Sequence, residues 1–104
     1  MKTSEYMELA KKVSKIPSDY ALAQRLEITR QAVSKFQSGN YVMSDEIAMK
    51  IAQLTGKNPV FVLADVHAER EKNPEIRAVW LGMIEKLSMG FNLLLLPAKK
   101  GLSV

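Results

Sequence analysis

The chain has 104 residues, of which 47% are hydrophobic and 25% charged. This composition fits one globular domain with a short appendage and excludes a disordered or multidomain protein. The sequence contains no cysteine, which excludes disulfides, thiolate metal sites and cysteine nucleophiles. A formal net charge of +4 suits a polyanionic partner. The N-terminus lacks an apolar signal segment, and the apolar stretch 87–98 is shorter than the roughly 20 residues of a membrane span, so we expect a cytoplasmic protein.

Capping residues and helix breakers predict an all-α protein. Apolar residues recur at helical spacing, and serine, threonine or asparagine caps precede most of these segments. The last helix is expected to end near Gly90. The predicted helices cover about 4–15, 19–26, 30–37, 45–55, 59–72 and 74–88.

The second and third helices are joined by a very short link. Ser18 and Thr29 are the predicted N-caps of these two helices. Ile28 and Val33 have the spacing of a hydrophobic staple, which fixes the angle at which the chain enters the third helix. Two short helices joined this tightly are expected to cross at a steep angle, so that the third helix protrudes from the protein surface.

The exposed face predicted for the third helix is polar and carries no acidic residue. It combines two positive charges with hydroxyl and amide groups. Its residues are Thr29, Arg30, Gln31, Ser34, Lys35 and Ser38. A solvated helix face is the alternative interpretation of the same residues.

The segment around this link resembles the helix-turn-helix of the lambda-repressor/Cro-like (XRE-type) family of phage and bacterial transcriptional regulators. The similarity covers roughly residues 4–66. The matching positions are Leu22, Ala23, Leu26, Ile28 to Gln31, Val33 to Phe36, Gly39, Ile47, Ile51, Ala52 and Leu54. Three positions depart from the family pattern: Glu27 replaces a frequent glycine, Asp19 a frequent glutamine, and Gln37 a common glutamate.

The resemblance implies a compact five-helix bundle whose recognition helix, about residues 30–37, lies in the major groove of double-stranded DNA. It implies that Arg30 and Gln31 reach base edges and that Lys35, one turn further on, reaches a base or a phosphate. Arginine pairs bidentately with guanine and glutamine with adenine, which suits such a role. Short polar or phenolic groups are expected on the DNA backbone: Thr29, Ser34, Ser38, Asn40 and Tyr41. Packing beneath the neighbouring loop is the alternative for Tyr41.

Signs of catalysis or of a bound metal are weak. His67 is the only histidine and is flanked by Asp65 and Glu69, a set that favours a solvated helix face over a metal site. Ser34 has no histidine nearby in sequence to act as its base, and no glycine-rich phosphate loop is present. We therefore expect neither an enzyme nor a cofactor.

The sixth helix carries a broad apolar stripe that includes Trp80, Met83, Ile84 and Leu87. These four residues are predicted to form an oligomer contact, because a sixth helix exceeds what a five-helix module needs. Packing on Leu63 and Val66 of the fifth helix is the alternative. For the tail 91–104, a groove contact, a strand across a dimer and a membrane surface remain open.

The sequence thus predicts a DNA-binding domain over 1–72, followed by a C-terminal helix and hydrophobic tail over 73–104. The predicted function is sequence-specific binding of double-stranded DNA by a phage-type regulator, a repressor acting as a homodimer. A protein-interaction module that uses the C-terminal helix and tail, antitoxin-like or a phage accessory protein, is the alternative.

Overall fold

In the computed structural model, the backbone is described for residues 1–100 and the side chains for residues 1–89. Within that part of the chain the structure is all-helical and contains no strand, which confirms the predicted all-α class. Its helices are α1 (Thr3–Val13), α2 (Asp19–Leu26), α3 (Arg30–Gln37), α4 (Asp45–Thr55), α5 (Pro59–Arg70) and α6 (Pro74–Lys100).

Side-chain caps set the starts of the four central helices. In α2 to α5 the residue before the first turn accepts a hydrogen bond from a backbone N–H of that turn, as a helix N-cap does. These caps are Ser18, Thr29, Ser44 and Asn58. The predicted bounds of α2 and α3 are confirmed, since both begin at the first residue after a predicted cap.

The core joins α1 to α5. Val33 of α3 is fully buried, and Ile28 and Phe36 pack against the core from either side of it. No described residue of α6 belongs to this core cluster, because α6 packs principally on α5. The cluster consists of Tyr6, Met7, Ala10, Ile16, Leu22, Ala23, Leu26, Val33, Met43, Ala48, Ile51, Ala52, Val62 and Val66.

The turn between α2 and α3 is closed by a residue in the left-handed conformation. Glu27 has φ 58° and ψ 42°, a region that glycine adopts more easily than glutamate. The Ile28 N–H donates to the carbonyl of Ala23 at 3.0 Å, and the Lys50 ammonium donates to the carbonyl of Leu26, also at 3.0 Å. These bonds satisfy carbonyls at the end of α2, so the tight link forms although glycine is absent.

The loop between α3 and α4 is fixed at Met43, which is fully buried. Its N–H donates to the Thr3 hydroxyl at 3.2 Å, and its carbonyl accepts from Arg70 at 3.2 Å. The Thr3 hydroxyl in turn donates to Glu69 at 2.7 Å, and the Thr3 N–H donates to the same carboxylate oxygen at 2.9 Å. The start of α1 and the end of α5 therefore hold the chain segment that follows α3.

The prediction that the sixth helix ends near Gly90 is wrong, because α6 continues to Lys100. A glycine within a helix costs only about 1 kcal/mol relative to alanine, whereas leucine is among the best helix formers. Gly90 alone is therefore too weak a breaker to stop a helix that continues into the leucines at 93–96. The tail left open in the sequence is helical over 91–100, while its side chains and residues 101–104 lie outside the described part of the chain.

Among the residues that the structure describes, no helix combines the length and the apolar composition that a bilayer crossing requires.

Candidate functional site

The structure brings the predicted polar residues of α3 together on one solvent-facing edge. We call this set the α3 edge: Thr29, Arg30, Gln31, Ser34, Lys35 and Ser38, all of which are exposed. The opposite side of the helix carries Val33 and Phe36, which anchor it to the core. A helix that buries one apolar side in this way presents its polar side at a fixed orientation.

The positive charges of the α3 edge are not neutralised by ion pairs. Within residues 1–89, neither Arg30 nor Lys35 has a carboxylate within salt-bridge distance. The Lys35 ammonium lies 5.5 Å from the centre of the Tyr41 ring, a cation–π distance. Tyr41 itself is 50% exposed, so the ring extends the polar edge beyond the end of α3 and is not packed beneath the loop.

The acidic side chain near the start of the α3 edge is engaged by α1. Asp19 accepts a hydrogen bond from Lys11 at 2.8 Å, and this bond, outweighing partial burial, lowers the pKa of Asp19. Gln37 and Arg30 also favour the charged form of that carboxylate. Gln37 donates to Glu8 of α1 at 3.2 Å. Two of the three departures from the family pattern, Asp19 and Gln37, therefore hold the helix pair against α1.

The hydroxyl groups along the α3 edge differ in how they are used. Thr29 Oγ1 accepts from the Ala32 N–H at 3.0 Å, which leaves its own proton available for an outside acceptor. Ser38 Oγ donates to the Lys35 carbonyl at 2.6 Å and accepts from the Asn40 N–H at 3.3 Å. Ser38 thus shapes the end of α3, whereas Ser34 faces solvent.

A shallow depression opens on the α3 edge, lined by Arg30, Gln31 and Ser34. A guanidinium, a side-chain amide and a hydroxyl converge there, and all three are hydrogen-bonding groups. The arrangement can form directed polar contacts with a surface pressed against it. It offers no carboxylate, thiol or imidazole within the described residues of the depression for acid–base or nucleophilic chemistry.

The single histidine is used in packing between α4, α5 and α6. His67 Nε2 lies 3.3 Å from Asp45, and its ring centre lies 5.1 Å from that of Trp80. The two carboxylates that flank His67 in sequence do not contact its ring but bind residues of α1. Asp65 accepts a hydrogen bond from the Tyr6 hydroxyl, and Glu69 accepts one from Thr3. The three residues therefore do not converge on one point.

The predicted oligomer residues of α6 separate into two pairs. Trp80 and Ile84 are half-buried on the side towards α5, where Trp80 meets His67 and Ile84 lines a groove with Tyr6 and Asp65. Met83 and Leu87 are 43% and 38% exposed. Only the second pair lies on the outer surface of the described chain.

Sequence reasoning missed the polar network of Thr3. Its partners are Met43 and Glu69, which are 40 and 66 positions away in the chain. No local pattern marks such a contact, because threonine near a helix start is ordinarily a cap and not a buried bridge. The only available signal is the position of Thr3 within the first turn of a predicted helix.

Comparison with protein families gives one match to part of the chain. A family model described as a phage related protein, DUF3693, matches residues 63–96. This region covers most of α5 and much of α6, and it lies outside the α3 edge. Neither the curated proteins nor the solved structures give a match to the chain.

Proposed function

We propose that this protein is a phage-type regulator that binds double-stranded DNA sequence-specifically, with α3 as the recognition helix in the major groove. The observation that carries the proposal is the α3 edge: Arg30, Gln31 and Lys35 are exposed together on a helix anchored by Val33. The major groove admits one α-helix and displays a distinct donor and acceptor pattern for each base pair. Arg30 would pair with guanine and Gln31 with adenine.

The proposed arrangement is that of the lambda-repressor/Cro-like family, with α1 to α5 as the five-helix bundle. Glu27 supports it, because its left-handed conformation provides at the α2–α3 link the backbone shape for which the family uses glycine. Asp19 is compatible with it, since its ion pair with Lys11 offsets a charge that would repel phosphate. In this arrangement the phage related match over 63–96 spans most of α5, within the bundle, and α6 up to residue 96.

Contacts to the DNA backbone would set the register of α3. Thr29, Ser34, Ser38, Asn40 and Tyr41 border the base-reading residues and are all exposed. Hydroxyl, amide and backbone N–H groups are the usual phosphate partners and carry little sequence information. Two copies of the chain would bind half-sites about 34–36 Å apart, one turn of DNA, so that a homodimer reads a short palindrome.

The test is selection of the full chain against random-sequence duplex DNA, followed by affinity measurements on the consensus and on scrambled DNA. Wild type should select a two-fold symmetric consensus. Gln31→Ala should lower the ratio of specific to nonspecific affinity by about 5- to 150-fold, since one good bidentate pair contributes about 1–3 kcal/mol of discrimination. Gln53→Ala is the matched control, an exposed glutamine on α4. Equal specificity ratios for both variants, with unchanged circular dichroism, would refute base reading by Gln31.

A second function is favoured by the apolar residues of α6. Ile76, Val79, Met83 and Leu87 are all more than one-third exposed, which is unusual for so many large apolar residues on one helix. A protein partner bound through α6 and the tail, as for an antitoxin-like or phage accessory protein, would cover them. Deletion of residues 91–104 distinguishes the two functions. DNA affinity and self-association should fall together if the extension serves a DNA-binding dimer. Unchanged DNA binding with loss of a co-purifying protein would favour the second function.

A further inference from the structure

We infer that the outer stripe of α6 is the contact with a second copy of this chain, and that the two α6 helices pair antiparallel. The outer stripe consists of Ile76, Val79, Met83 and Leu87. The inference rests on the homodimer of the proposed function and specifies its interface. Its tests use no DNA, so failure of this interface and failure of DNA binding give different results.

The outer stripe is apolar, continuous and unpartnered within the described chain. Its members follow one another at steps of three, four and four residues, the spacing that keeps side chains on one side of a helix. Ile76 is 46% exposed and Val79 is 66% exposed, although Trp80, next in sequence, is partly covered by α5. The side of α6 next to the α5 contact is therefore available to another helix.

Charge on one flank of the outer stripe identifies the partner and its direction. Glu75 and Lys86 are exposed and eleven positions apart, which is about three helical turns and places both on the flank beside Val79. When two copies of a helix pair antiparallel, each flank faces the same flank of the other copy. Glu75 of each chain then meets Lys86 of the other. In a parallel pair each flank instead faces the opposite flank of the other copy, which carries Trp80 and Ile84 on the side towards α5, so the pairing of Glu75 with Lys86 is lost.

This register centres the pair between Trp80 and Leu81. Val79 of one copy then lies beside Met83 of the other, and the outer stripes cover each other along their described length. The outer stripe and a flank of complementary sign together fit a second copy of α6.

Charge reversal tests the partner and the direction. Glu75→Lys or Lys86→Glu should each raise the dimer dissociation constant by about tenfold in sedimentation equilibrium, because each turns two attractive pairs into repulsive ones. The double variant should return to within about threefold of wild type, since it restores both pairs with exchanged signs. Glu85→Lys is the matched control, an exposed acid on α6 that lies away from the flank. Single reversals without effect, or a double variant weaker than both singles, would overturn the inference.

Cysteine cross-linking tests the register with different variants. The chain has no cysteine, so an introduced thiol is unique. A mixture of Ile76→Cys and Leu87→Cys chains should form a disulfide under mild oxidation, because these positions are offset by only about 3 Å along the axis of an antiparallel pair. Ile76→Cys alone should not, since its two copies would lie about 13 Å apart axially. Cross-linking of Ile76→Cys to itself would indicate a parallel pair and refute the proposed interface. A chain that stays monomeric at all concentrations would refute it as well.

Discussion

Replacing Thr3 by valine should destabilise the fold strongly. The sequence gives no sign of this, because a threonine near the start of a predicted helix is ordinarily an exposed cap. Thr3 is fully buried, and its hydroxyl both donates to Glu69 at 2.7 Å and accepts from the Met43 N–H at 3.2 Å. Valine has the same shape but neither hydrogen-bonding function. The Met43 N–H would be left buried without an acceptor, at a cost of about 1–3 kcal/mol, and Glu69 would lose a charge-assisted bond of similar value. We expect a total loss of about 3 kcal/mol.

The assay for Thr3→Val is denaturant unfolding followed by circular dichroism, with thermal melting as a second measure. A loss of about 3 kcal/mol should lower the melting temperature by roughly 10–20 °C for a domain of this size. Thr55→Val is the matched control, because the Thr55 hydroxyl donates to a helix carbonyl at 2.8 Å and its removal should cost below about 1 kcal/mol. Thr3→Ser should retain most of the stability. A Thr3→Val loss equal to that of Thr55→Val would refute the bridging role.

Three further variants test charges of the fold and of the α3 edge. Lys35→Ala should weaken DNA binding. If Lys35 contacts a phosphate, the variant should also reduce the slope of log affinity against log salt by about one. Lys72→Ala should change neither the affinity nor the slope, and equal slopes for the two variants would contradict the phosphate contact. Lys11 lowers the pKa of Asp19, so the Lys11–Asp19 pair stabilises the fold above the ordinary aspartate pKa, and this stabilisation is lost as the pH falls through the lowered pKa. The difference in unfolding free energy between wild type and Asp19→Asn should therefore shrink in acid. A difference that does not change with pH would disprove the pairing. Burial and the hydrogen bond to Asp65 raise the pKa of Tyr6, so the fold should lose stability above about pH 10, the ordinary tyrosine pKa. Tyr6→Phe should remove this alkaline loss of stability. A Tyr6→Phe variant with the same alkaline stability profile as wild type would refute the prediction.

The sequence predicted the α2–α3 pair accurately because its boundaries depend on local chemistry. Ser18 and Thr29 are caps whose side chains act within three residues, and the Ile28 and Val33 staple acts over five. The exposed positions of α3 follow from the same periodicity that buries Val33. Local rules were sufficient for both the helices and the composition of the α3 edge.

Long-range features could not be obtained in the same way. The backbone of Met43 is fixed by hydrogen bonds to Thr3 and Arg70. These bonds form only after α1 and α5 have packed beside the loop. The predicted end of α6 near Gly90 is wrong because a single glycine is a weak helix breaker. Tertiary packing also decides which members of the apolar stripe face α5. Helical periodicity alone therefore predicts Trp80 and Met83 on one contact surface, whereas in the fold Trp80 lies against His67 of α5.

The central claim is that the α3 edge lies against base edges, and nuclear magnetic resonance mapping tests it most directly. The full chain, labelled with nitrogen-15, would be titrated with the duplex recovered from random-sequence selection and, separately, with a scrambled duplex. We predict that the side-chain amide of Gln31 and the backbone amides of residues 29–38 shift most. We also predict that the Gln31 amide responds differently to the two duplexes while that of Gln53 does not. Shifts concentrated in α6, or an identical Gln31 response to both duplexes, would contradict the claim.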